Sequence, residues 1–211
     1  MLRKAIVVFV VAALLLQTML IAVAYAASQP NIEQHIFIHY AKENKGKPPA
    51  GNTGYYKLLG AKWKTLPVTL EVNPTNPNEL PAKFVLDAIG MAAEEWDDGD
   101  YGGWTGVAVN LFNDAITTTD KEYDNLAWSS SKLDGANTII FGNYPTSGVI
   151  AVTIIWSSRT TKAIVEFDMV LDTDFTWDDA ATDSTAMDLQ NIVTHELGHG
   201  VGLGDLYQTA A

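Results

Sequence analysis

An α+β fold is what the sequence predicts, on three observations. Apolar–polar alternation marks several short strands, helical periodicity marks two separate stretches, and the order is strand, helix, several strands, helix without an internal repeat. The chain has 211 residues, 47% hydrophobic and 18% charged. That is enough for one domain with a core, and too apolar for disorder over most of its length.

The elements follow in order. Met1 to Ala27 has the form of an export signal: Arg3 and Lys4, an apolar run from Ala5 to Ala24, and the small-x-small site Ala24-Tyr25-Ala26. Residues 1–26 are expected to be a signal peptide. The apolar run is also long enough to span a bilayer, so an uncleaved N-terminal anchor is the alternative. In both cases the domain lies outside, secreted or membrane-anchored, with the positive end inside. Residues 27–60 read as a leader or propeptide-like linker, with the turn-rich stretch Gly46-Lys47-Pro48-Pro49-Ala50-Gly51-Asn52. His35 and His39 fall here, and on a strand they share one face with Phe37. No third ligand is evident beside them, which argues against a metal site there.

The remaining residues, 61–211, form the expected domain. Leu66 to Val72 alternates as a strand, and Asn73 to Asn78 is a turn. A helix is expected from Leu80 to Trp96, with Pro81 in its first turn and Phe84, Val85, Ala88, Ile89, Ala92 and Trp96 as its core stripe. Asp97, Asp98 and Asp100 follow. They make Ca2+ a candidate ion, but without full loop spacing they fit a solvated helix end better. Val107–Phe112, Thr138–Gly142, Val149–Trp156 and Ala163–Leu171 read as strands, the last two joined as a hairpin. Asp172 to Asp183 is an acidic loop, and a final helix is expected from near Ser184 to Gly200 or Gly202.

Composition narrows the chemistry. The chain has no cysteine, which removes disulfides, thiolate ligands, cysteine nucleophiles and any cysteine-based latency device. Any metal must be held by His, Asp and Glu. A net charge of −12 without a basic patch argues against nucleic acid as a partner.

The final helix carries the chemistry. His195 and His199 stand at i and i+4, so both rings leave one face one turn apart, a spacing that grips one Zn2+. Glu196 sits beside the first His, within reach of a water at an open coordination position, as a general base. Gly200, Gly202 and Gly204 alternate after the motif. A helix stop at Gly202 would swing Asp205 back as a third ligand.

At these residues the chain resembles the metzincins, whose motif H-E-x-x-H-x-x-G-x-x-H has an Asp form. His195-Glu196-Leu197-Gly198-His199-Gly200-Val201-Gly202-Leu203-Gly204-Asp205 matches that form. Within the clan it looks like the secreted matrixin-like peptidases of archaea. Supporting segments are Tyr55–Gly60, Leu66–Pro74, Ile164–Asp168 and Asp188–Thr194. The resemblance implies a metzincin-like catalytic domain with a twisted mixed β-sheet and two long helices. It also implies one catalytic Zn2+ on His195, His199 and Asp205, with Glu196 as base. The implied substrate is a polypeptide bound as an extended strand along Val149–Trp156, acted on by a monomer. Metzincins place a Met-containing turn after the motif, whereas Met1, Met19, Met91, Met169 and Met187 all precede it here. A chain truncated before that turn, with its C-terminal subdomain missing, is therefore expected. The alternative function is an inactive zinc- or peptide-binding remnant. No His lies between His39 and His195, so no second, structural zinc site is expected in the sheet.

Overall fold

The computed structural model describes residues 31–41, 56–97, 109–123 and 133–205. The architecture is that of the compact unit Glu33–Ala211. The expected signal segment, the Gly46–Asn52 linker, Asp98, Asp100 and Val107–Ala108 lie outside the described residues. Among the described residues no helix is long and apolar enough to cross a membrane.

The protein is a mixed α+β domain. Its strands are β1 (Ile32–Tyr40), β2 (Lys57–Leu58), β3 (Glu71–Val72), β4 (Thr117–Thr118), β5 (Thr138–Gly142), β6 (Val149–Ser158), β7 (Ile164–Asp172), β8 (Trp177–Asp178), β9 (Met187–Asp188) and β10 (Leu203–Gly204). Its helices are α1 (Ala82–Asp97) and α2 (Leu189–Gly200). The main sheet has the order β1-β6-β7-β5-β3-β4. β7, β5, β3 and β4 are parallel, and β6 runs antiparallel to β7. The centre is rich in β-branched residues and buried on both faces, as parallel strands require. All of β5 is buried, as are nine of the ten residues of β6.

One face of the sheet, with Ile139, Phe141, Ala151, Ile155, Phe167, Met169 and Leu171, shares a core with Val85, Ala88, Ile89 and Ala92 of α1 and Val193 and Leu197 of α2. The alternate residues Ile140, Val152, Ile154 and Val170 are buried as well. Helix α1 has the expected stripe; Phe84 and Trp96 are only partly buried but pack against the same core. Asn76 sets its start, since its side-chain oxygen accepts from the Asn78 and Leu80 N–H groups at 3.1 and 2.9 Å.

Residues 27–60 contribute two strands: β1 lies in the main sheet, and β2 pairs with β10. Two expectations are corrected. The run Leu66–Val72 is regular only at Glu71–Val72, with Val68 making an isolated bridge to Phe112. The last helix begins at Leu189 rather than near Ser184. Met187 N–H donates to the Thr176 carbonyl and β9 pairs with β8, which keeps residues 187–188 extended. Asp188 then caps the helix through the Asn191 N–H at 2.9 Å.

The placement of β1 bears on the site. Ala41 N–H donates to the Gly148 carbonyl, just before β6 begins, while His35 Nε2 meets Ser157 Oγ at 3.1 Å near its end. β1 therefore runs antiparallel to β6 and covers its free edge. Lys162, in the β6–β7 turn, holds Glu33 at 3.0 Å.

Candidate metal centre

Helix α2 presents the motif against tight constraints. Trp96 of α1 donates its Nε1–H to the Thr194 carbonyl at 2.8 Å, and Trp63 donates to that of Gly200 at 2.8 Å. A Cβ at Gly198 would stand 2.8 Å from the Trp96 ring, and one at Gly200 would stand 3.1 Å from Phe167. Both glycines let an aromatic ring lie against the helix backbone.

The helix stops as the glycine pattern implied. Gly202 has φ +102°, and a Cβ there would lie 2.7 Å from the Ala61 carbonyl oxygen, so no other residue fits without a shift. The chain then doubles back as β10 along β2, with Leu59 N–H donating to the Gly202 carbonyl at 2.8 Å. This return brings Asp205 to the two histidines. Its Oδ1 is 3.6 Å from His199 Nε2 and 3.9 Å from His195 Nε2.

The structure adds a residue to the expected set. His39 of β1 joins His195, His199 and Asp205, and one ligand atom from each of the four lies within 4.8 Å of all the others. The His39 and His195 rings meet edge-on at 4.0 Å, and Phe37 stacks flat on His199 at 4.0 Å. His35, Phe37 and His39 thus do face one side of a strand. The sequence held that periodicity but not the partner of the strand, so the missing ligands could not be located. Thr153 of β6 was also missed. Its hydroxyl donates to Glu196 Oε2 inside the protein, and nothing in its sequence context distinguishes it from an ordinary strand threonine.

The group fits a metal ion by its own chemistry. His199 is 3% exposed, and its Nδ1 lies 2.9 Å from the Leu203 carbonyl. A carbonyl only accepts, so Nδ1 carries the proton and Nε2 offers its lone pair. That Nε2 is buried without a hydrogen-bond partner and faces the other three side chains. An orphaned acceptor among two further imidazoles and a carboxylate is the situation that a bound cation resolves. Burial, and next the neighbouring His39 ring, holds His195 below its ordinary pKa, which favours the neutral imidazole that ligates.

Glu196 is fully buried, with Oε1 2.7 Å from His39 Nδ1. Burial pushes its carboxyl up. The close contact with His39 and the hydrogen bond from the Thr153 hydroxyl outweigh burial and hold the group below its ordinary value.

A second carboxylate group, Glu94, Asp97 and Asp114, lies beside α1. Asp97 has a structural task, since its Oδ1 accepts the Leu111 and Phe112 N–H groups at 2.6 and 3.2 Å. It anchors a loop to the helix end.

No family model matches the chain, and no curated protein sequence matches it either.

Proposed function

We propose that this protein is a secreted, metzincin-like zinc endopeptidase of the matrixin type. The observation that carries the reading is the convergence of His195, His199 and Asp205 around the orphaned Nε2 of His199, with the Glu196 carboxylate alongside. Two imidazoles and a carboxylate suit zinc among the common ions, and three protein ligands leave a fourth position for chemistry. The antiparallel strand β6, beside α2 in an otherwise parallel sheet, supports the same reading as the rail for an extended polypeptide.

Zinc, when bound, acidifies water and polarises a scissile carbonyl. The residues of the chain supply the rest. Glu196 takes the proton from the attacking water and passes it to the departing amine. Thr153, bonded to the far oxygen of Glu196, fixes the carboxylate plane. His199 is oriented by the Leu203 carbonyl, and Asp205 by the return at Gly202. The export-signal pattern read in residues 1–26 supports a reaction outside the cell, and the net charge of −12 supports polypeptide rather than nucleic acid as substrate.

A second reading has its own observation. The fourth side chain, His39, brings the set to four protein ligands, the number found in structural zinc sites, which favours a zinc-binding remnant. Zinc content and casein hydrolysis, with Glu196→Ala as control, separate the two. The peptidase reading expects about one zinc per chain and hydrolysis that the substitution lowers by at least 100-fold. Zinc without hydrolysis under any condition favours the remnant, and absence of zinc refutes both.

A further inference from the structure

We infer that the groove between helix α1 and residues 112–116 is a docking site for a cationic, amphipathic peptide segment. It lies outside the metal centre, on the helix that does not carry the motif. The inference goes beyond the peptidase reading and does not depend on it; within that reading, the groove selects polypeptides that bear such a segment. Three observations meet there.

The first is shape. The groove has a volume of about 620 Å3, the size of a ligand site. Its apolar lining comes from Leu86, Met91 and Ala93 of α1 and from Phe112 and Ile116 opposite. The stretch of α1 from Leu86 to Asp97 is roughly 16 Å long, room for about five residues of an extended chain. Met91 is 50% exposed, and its flexible thioether suits contact with varied apolar side chains.

The second is charge. Asp87, Glu94 and Asp97 of α1 and Asp114 of the facing segment line the groove, and no Lys or Arg does. One carboxylate oxygen from each of Glu94, Asp97 and Asp114 lies within 4.8 Å of the other two. Asp97 is committed to the Leu111 and Phe112 N–H groups, while Glu94 and Asp114 stand exposed. Like charges this close repel, and an ammonium or guanidinium group placed among them offsets the repulsion. A bare cation would leave the apolar lining unused. A peptide with lysine or arginine set among apolar residues engages both.

The third is Gly90, which also lines the groove. It sits in the middle of α1, where only proline is a poorer helix former. Neither packing nor backbone requires a glycine there. A Cβ would meet only Ile116 Cδ1, at 3.8 Å, an ordinary contact, and its φ is not positive. Gly198 and Gly200 differ, because each admits an aromatic ring against the helix. At Gly90 the missing side chain leaves depth in the groove, as a site of close approach by a ligand requires.

The test is fluorescence anisotropy of a labelled octapeptide of alternating leucine and lysine, titrated with the full chain in zinc. Glu196→Ala serves as the parent, so that the peptide is not cleaved. The parent is expected to bind this peptide and not its leucine–glutamate counterpart, with affinity falling roughly tenfold from low to moderate salt. Gly90→Leu fills the groove and Asp114→Lys reverses a rim charge; each should weaken binding at least tenfold. Urea unfolding shows that both variants are folded, with Gly90→Leu expected at or above the parent midpoint. If either variant fails to fold, the other carries the test. Equal affinity in the parent and the folded variants would overturn the inference, and so would spermine or Ca2+ binding the groove as tightly as the peptide. Binding is expected to persist in excess chelator, so a chain that takes up no zinc would refute the peptidase reading and leave this inference standing.

Discussion

Gly198 sets a contest between helix propensity and packing that can be measured. In an unhindered helix, Gly→Ala gains about 1 kcal/mol. Here the new methyl would stand 2.8 Å from the Trp96 ring, inside any normal contact distance. The ring cannot retreat freely, because its Nε1–H is bonded to the Thr194 carbonyl at 2.8 Å on the same helix. Overpacking costs roughly 1–3 kcal/mol, and losing the indole hydrogen bond costs about 1 kcal/mol more. Packing wins, so Gly198→Ala should destabilise the fold by about 2 kcal/mol, lowering Tm by roughly 4–8 °C in a domain of this size. In a Trp96→Leu background the obstacle is gone, and the same substitution should stabilise by about 1 kcal/mol. Urea unfolding in excess chelator, run as a double-mutant cycle, reads the coupling without interference from metal. A stabilising Gly198→Ala in the native background, or additive effects across the cycle, would refute the argument.

Gly202→Ala tests how Asp205 is delivered: with φ +102° and an Ala61 carbonyl 2.7 Å from the new Cβ, it should cost roughly 2 kcal/mol and weaken zinc binding at least tenfold. Competition with a chromophoric chelator measures the second effect, and an unchanged affinity would show that the return at Gly202 does not position the ligand. A third expectation concerns pH. Burial raises the Asp168 carboxyl from 3.8 to about 7 despite the hydrogen bond it accepts from the Thr138 N–H, with Glu166 and Asp134 adding to the rise. A raised carboxylate pKa means that the folded state binds more protons than the unfolded one between these values, so this group lowers stability as pH climbs from about 4 through about 7. Asp168→Asn keeps the acceptor oxygen and removes the titration. Relative to the native chain, its urea midpoint should therefore fall less between pH 5 and pH 8, and equal slopes would contradict the assignment.

Local pattern and non-local pairing account for what the sequence disclosed. The i, i+4 histidines, the core stripe of α1 and the hairpin of β6 and β7 depend on neighbours within a few residues, and all three are found in the fold. The return of Asp205 was legible because Gly202 lies next to the motif and glycine alone tolerates that backbone. The place of β1 depends on β6, more than a hundred residues away, and no period within residues 32–40 encodes a partner. His39 therefore read as half of an incomplete pair. The start of α2 shifted for a similar reason, since the bond from Met187 to Thr176 competes with helix and only the folded chain brings those residues together. Asp97 read as part of a solvated helix end because its partners, the Leu111 and Phe112 N–H groups, lie beyond the reach of any local pattern.

The pairing of β1 with β6 also bears on solubility. β6 is a ten-residue strand, Val-Ile-Ala-Val-Thr-Ile-Ile-Trp-Ser-Ser, long, apolar and free of proline. Bare, such an edge is a template for strand addition between molecules, and it carries no charged gatekeeper of its own. β1 moves the outer edge of the sheet to a strand bearing Glu33, Gln34, His35 and His39. The same nine residues thus shield the most aggregation-prone segment of the domain. A preparation lacking them should self-associate through β6 unless a peptide is supplied to take their place.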